Sequence, residues 1–89
     1  MKIKVELYGA SRDLSEKNFI EFNFNRKSSI KDLKKKILNY VDSNFKGNDN
    51  FKKIIESSAF CSEDDNIVSD NYEISKDQKI GIIPPIGGG

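Results

Sequence analysis

The residues best suited to chemistry lie at the end of the sequence, in Ile82-Ile83-Pro84-Pro85-Ile86-Gly87-Gly88-Gly89. Proline has no N–H to give a strand ladder and fixes φ near about −65°. Two in succession close a strand and launch the chain in a stiff, extended direction. Five residues beyond Pro84 reach on the order of 16–18 Å when extended. Glycine has no Cβ, so Gly87, Gly88 and Gly89 form a backbone slender enough to thread a channel closed to side chains. A carboxylate on Gly89 is then a handle that a partner's active site can activate. A glycine-rich end frays in ordinary domains. The two prolines and the isolated Ile86 argue for a substrate arm instead.

The rest of the composition narrows what that arm must rely on. The sequence holds no histidine, which removes the commonest general base, the commonest metal ligand and the usual partner of a Ser or Cys nucleophile. Catalysis by this chain alone is therefore not expected, and neither is a bound metal or cofactor. The single cysteine, Cys61, cannot form an internal disulfide and fits a reducing, cytoplasmic setting. Its place in a short strand reads as a small buried hydrophobe more than as a sulfur relay. A formal net charge of +1 gives no electrostatic case for nucleic acid or an anionic membrane. No apolar run nears the ~20 residues of a membrane span.

The elements that must position the arm are legible from periodicity. Ile3, Val5 and Leu7 alternate with Lys2, Lys4, Glu6 and Tyr8, a half-buried strand. Gly9-Ala10-Ser11 breaks it. Ile20, Phe22 and Phe24 form a second alternating strand, paired antiparallel with the first. Ser29 is an N-cap with Asp32 three residues on as its capping-box partner. Ile30, Leu33, Ile37, Leu38 and Val41 then trace one apolar helical stripe, and Lys31, Lys34 and Lys35 read as its solvated face. Asn44 to Asn50 ends the helix. Phe51, Ile54 and Ile55 suggest one short helical turn. Short strands follow at Ala59 to Ser62 and Ile67-Val68, separated by the polar turn Glu63-Asp64-Asp65-Asn66. A final strand runs from Lys79 to Ile83. The order predicts an α+β, ubiquitin-like β-grasp roll over residues 1–83. One main helix packs across a mixed sheet, the last strand lies parallel to the first, and residues 84–89 form a flexible glycine tail.

The tail resembles the terminus of the molybdopterin synthase small subunit family: an apolar pair, Pro-Pro, an apolar residue, one variable position and Gly-Gly. Ile82, Ile83, Pro84, Pro85, Ile86, Gly88 and Gly89 match, with Gly87 at the variable position. Val5 to Leu14 is similar to the family's first strand and Arg-Glu/Asp-Leu turn, and Tyr72 to Ile80 to its entry into the last strand. Asp77-Gln78 stands where the family typically has Gly-Asp, Cys61-Ser62 near its Val-Asn, and Asn44 to Asn50 is a longer loop. The resemblance implies a carrier whose Gly89 is adenylated by a ubiquitin-activating-like adenylyltransferase using ATP and Mg. A sulfur donor protein then makes the thiocarboxylate. The tail next enters the synthase large subunit, in a heterotetramer, and sulfur passes to cyclic pyranopterin monophosphate. Two alternatives stay open: a sulfur carrier for thiazole or tRNA thiolation, and a modifier conjugated to lysines through Gly89.

The strand parities also suggest a grip for the partner. With Ile80 and Ile82 facing the core, Gly81 and Ile83 face outward, as does Tyr8 on the first strand. If those strands are neighbours, Tyr8, Ile83 and Ile67 form an exposed apolar patch beside the tail exit, with Arg12 as a polar contact on its rim. The same three positions correspond to the patch by which the resembled family holds its partner.

Overall fold

A computed structural model describes residues 1–85 of the chain. Strands β1 (Lys2–Leu7) and β2 (Phe19–Asn23) pair antiparallel, with Ile3 opposite Phe22 and Val5 opposite Ile20. The link between them is more ordered than the expected break, being a 3₁₀ helix over Gly9–Leu14. A two-residue strand β3 (Ser28–Ser29) leads into helix α1 (Ile30–Phe45). Helix α2 (Asp49–Ser57) follows, then β4 (Ala59–Cys61), β5 (Ile67–Val68), β6 (Glu73–Ile74) and β7 (Gln78–Ile83). The main sheet has the order β2-β1-β7-β4-β5, and β3 pairs with β6 in a separate ribbon. As the sequence predicts, β7 lies parallel to β1, with Val5 beside Ile80 and Leu7 beside Ile82.

Helix α1 starts where its caps require. The Asp32 backbone N–H donates to Ser29 Oγ at 3.2 Å, and the Ser29 backbone N–H donates to Asp32 Oδ2 at 3.0 Å. The second of these bonds ends on the carboxylate and favours its ionised form, and with the Ser29 hydroxyl, Lys35 and Arg26 it holds Asp32 below its ordinary value. The helix ends at Lys46, whose φ of 54° puts it in the left-handed region, followed by Gly47 at 69°. Ile30, Leu33, Ile37 and Val41 are buried against Ile3, Val5, Ile80 and Ile82 in one core. Burying side chains of this size contributes about 1.5–3 kcal/mol each before chain entropy is charged against it. Leu38, placed on the same stripe, is only partly buried and packs at the core's edge, as does Phe22.

Two elements exceed what periodicity suggested. Helix α2 is nine residues long, not one turn. It is capped by Asn48 Oδ1, which accepts the Phe51 N–H at 3.1 Å. The Lys52 ammonium lies 2.7 Å from Asp42 on α1 and ties the two helices together. The β3–β6 ribbon was not anticipated, because two-residue strands carry no measurable alternation. Ile74 of β6 is nonetheless fully buried.

Candidate functional site

The exit of β7 defines the site. β7 is the central strand, hydrogen-bonded to β1 on one side and to β4 on the other. Pro84 follows it and is buried, while Pro85 is exposed. Gly9 lies beside it, with φ of +55°, a value that side chains adopt poorly. A Cβ placed there would lie 3.9 Å from Cδ and Cγ of Pro84. The first proline is thus seated against the body, under the turn that leads out of β1. Ile86, Gly87, Gly88 and Gly89 lie outside the described residues.

Beside this exit the outward face of the sheet carries a lateral row. Phe19 pairs with Glu6, Glu6 with Gly81, Gly81 with Cys61, and Cys61 with Ile67. The row therefore crosses all five strands, with glycine at its centre. The Tyr8 ring reaches over that glycine: a Cβ at Gly81 would stand 3.2 Å from Tyr8 Cε2 and 3.7 Å from Cys61 Cβ. A side chain there would push the ring away, so Gly81 is a seat for Tyr8. Ser11 fixes the ring's backbone. Its Oγ accepts the Tyr8 N–H at 3.0 Å and donates to the Tyr8 carbonyl at 2.7 Å, and the serine is fully buried.

Together these residues shape a groove of about 350 Å³. Tyr8, Gly81, Cys61 and Ile83 form its apolar part, and Glu6, Ser62, Glu63, Asp65 and Lys79 its polar edges. Glu6 and Lys79 face each other across the strands at 3.9 Å. The β4–β5 turn is built around Ser62. Its Oγ accepts the N–H groups of Asp64 at 3.3 Å and Asn66 at 3.4 Å, and its own N–H donates to the Asn66 carbonyl at 2.8 Å. Asp65 closes the turn with φ of +63°.

Neither a protein-family model nor a curated protein matches the sequence. Solved structures do. A protein assigned as molybdopterin converting factor, subunit 1, from Pyrococcus furiosus superposes with a TM-score of 0.69 at 20% identity, over 96% of this chain and 98% of that one. SAMP1 from Haloferax volcanii gives a TM-score of 0.70 at 9% identity, over the whole of both chains. The fold is the ubiquitin-like β-grasp. At these identities the likeness is one of backbone path, and the β-grasp frame is what the three chains share.

Within this β-grasp the predicted positions separate. Tyr8, Ile67 and Ile83 are exposed by 50%, 65% and 38%, and all lie on the outward face near the tail exit. Arg12 sits elsewhere. It lies on the 3₁₀ helix, donates to Asn18 Oδ1 at 3.0 Å, and lines a different hollow with Leu14, Tyr40 and Phe45. Cys61 corrects the expectation of a buried hydrophobe. It is half-buried and lines the groove, because Phe60 takes the inward position of β4 and parity turns Cys61 outward. Three contributors escaped sequence reasoning: Gly81 as a seat, Ser11 as a clamp and Gly9 as the left-handed turn beside Pro84. An outward glycine inside an otherwise apolar strand was the available signal for the first. Among the described residues no cluster of three or more His, Cys, Asp or Glu could hold a metal, and no helix is long and apolar enough to cross a membrane.

Proposed function

We propose that this β-grasp chain is a sulfur carrier, the small subunit of a molybdopterin synthase, acting through the carboxylate of Gly89. The observation that carries the reading is the setting of the tail. A seated Pro84 directs the chain out of the central strand beside an exposed apolar face, and the sequence that follows is Pro85-Ile86-Gly87-Gly88-Gly89. The likeness to the Pyrococcus furiosus protein supports the same reading. Residues 1–83 act as the body and residues 84–89 as the carrier tail, with Pro84 as the joint between them.

The chemistry asks little of this chain. An adenylyltransferase partner of the ubiquitin-activating type joins the Gly89 carboxylate to the AMP moiety of Mg-bound ATP and releases pyrophosphate. Sulfide from a donor protein attacks that acyl carbon, expels AMP and leaves a thiocarboxylate. The large synthase subunit then receives the tail. The thiocarboxylate sulfur attacks cyclic pyranopterin monophosphate and displaces an oxygen there, and water cleaves the resulting thioester, leaving sulfur on the pterin and returning the Gly89 carboxylate. Proton transfers fall to the partners, in keeping with a sequence that has no histidine. Gly88 and Gly87 keep the approach to the reacting carbon narrow. Tyr8, Ile83 and Ile67 grip the partner's surface, and Arg12 adds a contact at the rim of a large interface.

Intact mass after incubation with an adenylating enzyme, Mg-ATP and sulfide tests the reading. The expected gain equals the exchange of one oxygen for one sulfur at Gly89, absent when Gly89 is deleted. No gain with a cognate activating enzyme overturns the carrier reading. Sulfur transfer to the cyclic pyranopterin with a large subunit present selects this pathway over thiolation of thiazole or tRNA. Isopeptide adducts on cellular proteins would point to a modifier instead.

A further inference from the structure

The groove over Gly81 has an apolar floor but acidic edges. Its lining holds three carboxylates, Glu6, Glu63 and Asp65, against the single ammonium of Lys79, a net −2 on a chain whose total is +1. Lys79 is already engaged by Glu6 at 3.9 Å. Among the described residues Glu63, Asp64 and Asp65 have no ion-pair partner. The turn that carries them is held from inside by Ser62, so these charges are presented by a fixed backbone.

We infer that this groove receives an aliphatic side chain of a protein partner, flanked in the partner's sequence by lysine or arginine. The inference rests on the docking face of the carrier reading and adds the chemistry of what docks there. The tyrosine ring, Gly81 and Cys61 offer a floor for an apolar anchor, and Ile67 and Ile83 extend it on two sides. The unpaired carboxylates on the β4–β5 turn attract cations and repel an acidic segment, which gives specificity and speeds encounter.

A second copy of this chain is a poor occupant. The exposed large apolar side chains among the described residues are Tyr8, Ile67 and Ile83, all on this same face. Self-docking would have to be face to face, which sets acidic turn against acidic groove. The lysine-rich face of α1 lacks an exposed apolar anchor, since its stripe is buried. The complementary surface therefore belongs to another protein.

The test titrates the full-length, isotope-labelled chain with capped peptides and follows backbone amide shifts. The probes are Lys-Leu-Arg, Glu-Leu-Glu and Lys-Gly-Arg, each at up to about 5 mM, where millimolar contacts register. Lys-Leu-Arg should shift Glu6, Tyr8, residues 61–65 and Gly81, and high salt should weaken it. Glu-Leu-Glu should give no shift there, and Lys-Gly-Arg a weaker one. The double variant Glu63→Gln/Asp65→Asn should lose about three- to tenfold in affinity at an unchanged thermal midpoint, in line with rim charges of this kind. Asparagine tolerates the left-handed backbone at position 65, so the turn survives. Equal binding of the acidic and basic peptides overturns the inference, as does no shift with Lys-Leu-Arg or full binding by the double variant. Binding seen only after removal of residues 86–89 would overturn it in favour of the chain's own tail. No activating enzyme is used, so failure here leaves the mass test of carrier chemistry standing, and the reverse holds as well.

Discussion

Replacing Gly81 separates the stability of this fold from the use of its outer face. In an ordinary strand interior, Gly→Ala stabilises by roughly 0.5–1 kcal/mol, because glycine loses more freedom on folding. Here the new Cβ would meet Tyr8 Cε2 at 3.2 Å, a few tenths of an ångström inside ordinary contact. Tyr8 is half exposed and can give by that amount without disturbing the core, since Gly81 points away from Ile80 and Ile82. Thermal unfolding of Gly81→Ala should therefore show a midpoint unchanged or a few degrees higher, at about 4–8 °C per kcal/mol for a domain of this size. Gly81→Leu should lift the ring off its seat and fill the groove. Binding to the large subunit of the proposed synthase, measured by calorimetry, should then weaken at least about tenfold, the loss expected at a hot-spot pocket. A midpoint drop of more than about 5 °C in Gly81→Ala would show that the ring is locked and cannot give. Undiminished binding by Gly81→Leu would show that the partner does not use this face.

Ser11→Ala leaves the Tyr8 N–H without its buried acceptor and should destabilise by about 1–3 kcal/mol; urea unfolding measures it, and a loss under about 0.5 kcal/mol would mean water replaces the hydroxyl. Tyr8→Asp and Ile83→Asp should each weaken partner binding about tenfold or more with little change in unfolding midpoint, and a sharp fall in stability would place those side chains in the core. Asp32 is depressed below 3.8 in the folded chain, so its contribution is present above that pH and is lost as pH falls through the folded value. The stability gap between wild type and Asp32→Ala should thus be constant near neutrality and close below about pH 3.8, as followed by circular dichroism across an acid series. A gap that does not narrow at all as pH falls below that range would rule out the ionised carboxylate as the source.

Much of this fold was legible because its long elements alternate cleanly. Ile3, Val5 and Leu7 on β1, and Ile80 and Ile82 on β7, declare their buried face by parity alone, and the exposed placement of Tyr8 and Ile83 follows from the same parity. The Ser29–Asp32 pair declares the start of α1 for an equally local reason. What stayed hidden depends on register between distant strands. Nothing local in β4 indicates that Cys61 sits opposite Gly81, or that Tyr8 leans over that glycine. The position of Arg12 stayed hidden for a related reason: a turn residue has no periodicity to aim it, and the 3₁₀ helix carries it to a hollow away from the groove. The β3–β6 ribbon was invisible because two residues cannot express a period of two, although burial of Ile74 depends on it.

The central position of β7 has a mechanical consequence. A pull on Pro85 acts along the axis of a strand held by β1 on one flank and β4 on the other. Such a load is shared by the flanking hydrogen bonds together in shear, whereas an edge strand peeled sideways would lose them one at a time. Pro84, buried against the body, adds a stop at the point where the force enters. The body can therefore act as a cork on a thread. A load applied at Pro85 is thus met by both flanking strands at once, and the domain stays folded while they share it.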